Sequence, residues 1–128
     1  MKDDKKMNPS LIPTLNLAFI GDGVYDLLVR ERLVRESNDH VGELNRRKVE
    51  LVNCKAQAEA IERILPLLGE DEIDIFKRGR NANVKSPSKH STLSDYHAAT
   101  GLETLFGYLY LKGEQERINT LFEQIISA

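Results

Sequence analysis

Apolar residues in this chain recur at spacings of three and four along most of its length, and no stretch alternates strictly between apolar and polar. The first pattern lines one face of a helix, and the second is what a half-buried strand needs. The chain is therefore expected to be all-α. Leu17, Ile20, Val24, Leu27, Leu28 and Val34 predict a helix over Leu17–Val34, with Pro13 at or before its start. Ser37-Asn38-Asp39 breaks the pattern. A second helix is predicted over Val41–Leu68, interrupted near Pro66 and closed by Gly69. Residues 70–79 predict a short amphipathic helix on Ile73, Ile75 and Phe76. Ser94 is expected to cap a helix running to Leu111, Gly113 to stop it, and Glu114–Ile126 to form the last helix. From Arg78 to Leu93 the chain is rich in Ser, Asn and Lys and carries Pro87, which makes a loop longer than ordinary connections.

A chain of 128 residues fits one domain, expected over 13–128 behind a flexible tail over 1–12. With 41% hydrophobic and 30% charged residues it has the composition of a folded domain, not a disordered segment. No apolar run approaches the roughly 20 residues of a membrane helix, and the charged N-terminus has no secretory apolar stretch. The lone Cys54 excludes an intramolecular disulfide and reads as a small buried hydrophobe. A cytoplasmic protein without membrane association is the expectation.

The net charge of −2 hides a local excess. Lys77, Arg78, Arg80, Lys85 and Lys89 fall within thirteen residues that contain no acid, and such a segment can dock a polyanion. A solvated basic turn is the plainer alternative.

Two acids lie inside apolar helical stretches: Asp22 between Ile20 and Val24, and Glu103 between Leu102 and Leu105. A charge there is costly unless it meets solvent, a base or a cation. An ordinary polar stripe of Asp22, Asp26 and Arg30 would account for the first helix. Three features favour a metal site instead. Asp22 and Asp26 share one helix face. Glycines flank both acids (Gly21 and Gly23; Gly101 and Gly107), so the two helices can cross closely. The basic loop runs directly into the Glu103 helix. Converging acids beside a basic loop suit Mg²⁺ and a phosphate backbone. His90 and His97 read as surface residues.

These residues resemble those of the ribonuclease III family. Ile20-Gly21-Asp22-Gly23-Val24 is similar to its Gly-Asp signature. Val41-Gly42-Glu43-Leu44-Asn45-Arg46-Arg47 with Leu51-Val52 resembles its next helix, and Leu102-Glu103-Thr104-Leu105-Phe106-Gly107 its Glu-bearing helix. Order and separation agree over roughly 15–125. Arg78-Gly79-Arg80-Asn81-Ala82 resembles a loop of the Mini-ribonuclease III subgroup, which lacks the C-terminal double-stranded-RNA-binding domain.

The resemblance implies a ribonuclease III endonuclease-domain-like helical fold and Mg²⁺-dependent hydrolysis of double-stranded or structured RNA, with precursor large-subunit (23S) ribosomal RNA as the implied substrate. Asp22 and Glu103 would be the catalytic, metal-binding pair. Lys77, Arg78, Arg80, Asn81, Lys85 and Lys89 would contact RNA, and Phe19, Ile20 and Val24 would line a homodimer seam. Asp26 and Glu43 are candidates for supporting roles, although each reads more simply as a surface carboxylate. Ala18 and Thr100 stand where larger relatives carry acids, which implies fewer direct ligands and more water around the metal. A non-catalytic RNA-binding or ribosome-assembly module of the same fold, and a plain protein-interaction domain, are the competing readings.

Overall fold

The computed structural model describes residues 8–82 and 92–127; Lys85, Lys89 and His90 lie outside them. Among the described residues all regular structure is helical: α1 Thr14–Glu36, α2 Val41–Val52, α3 Cys54–Ile64, α4 Glu70–Arg80, α5 Leu93–Leu111 and α6 Gln115–Ile126, with 3-10 turns at Pro9–Leu11 and Leu65–Leu67. The expected all-α class is what the chain forms. No described helix is long and apolar enough to cross a membrane.

α5 is the central element. It packs most extensively on α1, then on α4 and α3. From Ala99 to Leu109 every residue of α5 is buried except Glu103. A helix apolar on all sides belongs in the middle of a bundle. The core around it includes Leu17, Val29, Ile64, Leu121 and Ile118, all fully buried, and an edge-to-face aromatic set in which Tyr25 meets Phe106 at 5.4 Å and Phe122 at 5.7 Å between ring centroids. Burial pushes the Tyr25 hydroxyl well above its ordinary pKa.

Glycines set how closely the helices approach. A Cβ on Gly21 would overlap the Glu103 carbonyl, and one on Gly107 would overlap the Leu17 carbonyl, so α1 and α5 touch backbone to backbone. The expected close crossing is present, but it uses only part of the expected set. Gly101 faces Phe76 of α4, and a Cβ on Gly23 would meet nothing within 4 Å. Gly79 of α4 closes the second tight contact, against Thr104 and Gly101.

Three boundaries differ from expectation. The helix predicted over Val41–Leu68 breaks at Asn53, whose ψ of 167° is extended. The Asn53 side chain serves both new ends: its amide donates to the Val49 carbonyl at 3.1 Å, and its oxygen accepts from the Ala56 amide at 2.9 Å. α5 is capped by Thr92, not Ser94, through its hydroxyl and the Asp95 amide at 3.0 Å. Residues 8–12, within the segment expected as a tail, form a turn held by Arg78, whose guanidinium donates to the carbonyls of Ser10 and Ile12 at 3.0 Å each and to the Thr14 hydroxyl. Arg117 holds Glu72 bidentately, with both bonds at 2.8 Å, and so ties α6 to α4.

Replacing Gly21 by Ala forces α1 off α5. Chemical denaturation is expected to show a loss of at least about 1–3 kcal/mol.

Candidate metal centre and catalytic site

The tight crossing of α1 and α5 determines where the two acids meet. Gly21 rests on the backbone of Glu103 itself, so Asp22, the next residue of α1, is brought against the Glu103 side chain. Asp22 is exposed and Glu103 is half-buried. Burial, and next the Asp22 charge, push the Glu103 carboxyl up to about 8, while the Gln57 carboxamide lying against it pulls the other way.

A half-buried carboxyl facing a second carboxylate is an arrangement that a cation relieves. Among the described residues no group of three or more His, Cys, Asp and Glu could hold a metal ion, so the donor set is this pair. It fits Mg²⁺, a hard cation that commonly takes one or two carboxylates and keeps several waters. The positions where larger relatives carry acids are closed. Ala18 and Thr100 are both 7% exposed, and the Thr100 hydroxyl donates to the Tyr96 carbonyl at 3.0 Å.

The other acids weighed from the sequence are engaged elsewhere. Asp26 binds Arg30 and lies 3.5 Å from the Lys48 ammonium, joining α1 to α2. Glu43 is held by Arg46, which keeps its carboxyl below the usual range. His97, expected at the surface, is partly buried, and its Nδ1 has no hydrogen-bond partner among the described residues.

The basic residues divide by task. The last turn of α4 packs through Gly79 on Gly101 and Thr104 of α5, the helix that carries Glu103. Lys77, Arg80 and Asn81 are exposed there. Arg80 sits 5.5 Å from the centre of the Phe76 ring and donates to the Asn81 side chain at 3.3 Å. Arg78 is different: all three of its guanidinium nitrogens bond to residues 10–14. Of the seam candidates, Phe19 is 83% exposed, whereas Ile20 and Val24 are half-buried.

One residue of the site was missed in the sequence. Gln57 is 3% exposed. A signal existed: it occupies a core position one turn before Ala60 and Ile61, where an amide is as anomalous as the two acids.

Because Glu103 binds its proton more tightly in the folded chain than in the unfolded one, the folded state holds the extra proton between about pH 4.5 and 8. Stability is therefore expected to fall as pH rises through that window. Thermal melts with a chelator present should show the slope, and Glu103→Gln should remove it.

The ribonuclease III domain family matches residues 15–114. The Mini-ribonuclease 3 of Thermoanaerobacter sp. (strain X514) is 47% identical over 114 residues, 89% of this chain and 80% of that protein. The Mini-ribonuclease 3 of Clostridium tetani is 39% identical over 127 residues, 98% of this chain and 81% of that protein. A crystal structure of a Fusobacterium nucleatum protein superposes with a TM-score of 0.84 at 29% identity, covering 91% of this chain and 93% of that one. The chain belongs to the ribonuclease III family, in its Mini-ribonuclease 3 branch, and is an endoribonuclease of that type.

Proposed function

We propose that this endoribonuclease hydrolyses double-stranded or structured RNA with Mg²⁺ held by Asp22 and Glu103. The observation that carries the reading is Glu103, the one residue of α5 between Ala99 and Leu109 that is not buried, set against Asp22. When bound, the divalent ion activates a water for attack on the phosphodiester and offsets the charge that builds on the phosphate. The chain's own part is to hold the two carboxylates in register through the Gly21–Gly107 crossing and to bring RNA to them. Lys77 and Arg80 would meet phosphates beside the site, with Asn81 as a neutral donor. Lys85 and Lys89 follow in the same basic run. Arg78 is left out of this set because its donors are used within the fold. Contacts of this kind give salt-sensitive and largely sequence-independent binding, suited to the shallow minor groove of double-stranded RNA.

Precursor 23S ribosomal RNA in the cytoplasm is the substrate and setting we favour, on the strength of the resemblance alone. Asp22→Asn and Glu103→Gln are each expected to lower cleavage of double-stranded RNA by about 100-fold or more with helical content retained, and a chelator should stop the parent protein. Undiminished cleavage by both variants would overturn the reading. RNA binding without cleavage at any Mg²⁺ concentration would favour the non-catalytic alternative.

A homodimer is part of the same proposal. Leu15, Phe19 and Leu27 are 44%, 83% and 64% exposed and lie at four-residue spacing on α1, with Gly23 leaving open room between them. Such a contiguous apolar stripe suits a self-complementary contact. Phe19→Asp is expected to halve the mass measured by light scattering, with the circular dichroism spectrum unchanged.

A further inference from the structure

Among the described residues three polar side chains are buried: Gln57, Thr100 and Thr104. The two threonines are accounted for locally, since each hydroxyl donates to the carbonyl one turn earlier, at 3.0 and 2.7 Å. Gln57 is not. Its amide nitrogen donates at 2.9 Å to the Val52 carbonyl, and its Oε1 is buried with no partner among the described residues. A buried acceptor left unpaired is destabilising, so its presence calls for a reason.

The break at Asn53 supplies the first half of that reason. In an unbroken helix the Val52 carbonyl would accept the Ala56 amide. Here the Asn53 side chain takes that amide, and the Val52 carbonyl is released to the Gln57 side chain. The interruption thus fixes the carboxamide at one end. Its other neighbour is Glu103: only the amide N–H can donate to a carboxylate, and the contact is of the kind that favours the charged form. The carboxamide thus lies between the backbone carbonyl it bonds and the acid opposite Asp22, across the packing of α3 on α5.

We propose that Gln57 is a positioning residue of the metal site: its Nε2 tethers the Glu103 carboxylate to the backbone at the α2–α3 break, and its free Oε1 accepts from a water ordered between the acids and the cation. A site with only two carboxylates needs such a group more than one with a full acidic shell, because water supplies the rest of the coordination and must itself be oriented.

The inference rests on the metal reading above, and the experiment separates the two. Mn²⁺ is titrated, without RNA, into the parent protein, Glu103→Gln and Gln57→Leu, and free Mn²⁺ is read by electron paramagnetic resonance. Gln57→Leu keeps the volume and removes both polar functions, and circular dichroism checks that it folds. Its Mn²⁺ affinity is expected to fall about 10–100-fold. A glutamine that merely fills space predicts the opposite pattern. If Mn²⁺ binding is lost in Glu103→Gln but stays within twofold of the parent in folded Gln57→Leu, the proposal is overturned alone. If the parent binds no Mn²⁺, or Glu103→Gln binds it as the parent does, the metal reading falls and the proposal with it. Should the leucine variant fail to fold, Gln57→Met is read by the same criteria.

Discussion

The backbone contact between α1 and α5 governs the rest of the molecule. Two helices normally keep 8–10 Å between axes because side chains stand between them. At Gly21 and Gly107 there are none, and a carbonyl of each helix occupies the space where a Cβ of the other would lie. This approach seals the core along Leu17, Leu105 and Phe106. It also puts a carboxylate from each helix on the same side of the crossing. Fold and site are set by one contact, so neither can shift without the other.

Around that contact the remaining helices act as supports with separate tasks. α4 makes a second glycine-mediated approach to α5 through Gly79 and Gly101, and Lys77, Arg80 and Asn81 are exposed at its end. α3 holds Gln57, bonded to the Val52 carbonyl, against Glu103. α2 contributes Lys48 to Asp26, which keeps that acid occupied beside the site. Among the outer ties, Arg117 with Glu72 is a bidentate, part-buried pair that fixes the direction of α6 against α4.

Much of this was legible in the sequence because it followed from periodicity. Helix identity, the embedded acids and the idea of a glycine crossing all come from spacing along one chain. What was not legible depended on which partner each residue meets. Gly21, Gly23, Gly101 and Gly107 look alike in sequence, yet one faces α4 and one faces open space. Arg78 and Arg80 are two residues apart in a basic run, and a helix sends the first inward to residues 10–14 and the second outward over Phe76. Asn53 sits inside an amphipathic pattern that continues on both sides, so the pattern concealed the break, which only the side-chain caps make evident. Gln57 was legible in principle as an amide at a core position, and its meaning required Glu103 on a neighbouring helix.

The enclosure of α5 bears on how enzymes of this kind diversify. A residue exchanged along Ala99–Leu109 is felt by several surrounding helices at once, so that segment has almost no freedom to drift. The exposed end of α4 carries no such burden. Under the proposed reading, new preferences for one RNA over another would accumulate there while the helix that carries Glu103 stays fixed, so a common chemistry would pass from substrate to substrate by changes at its periphery alone.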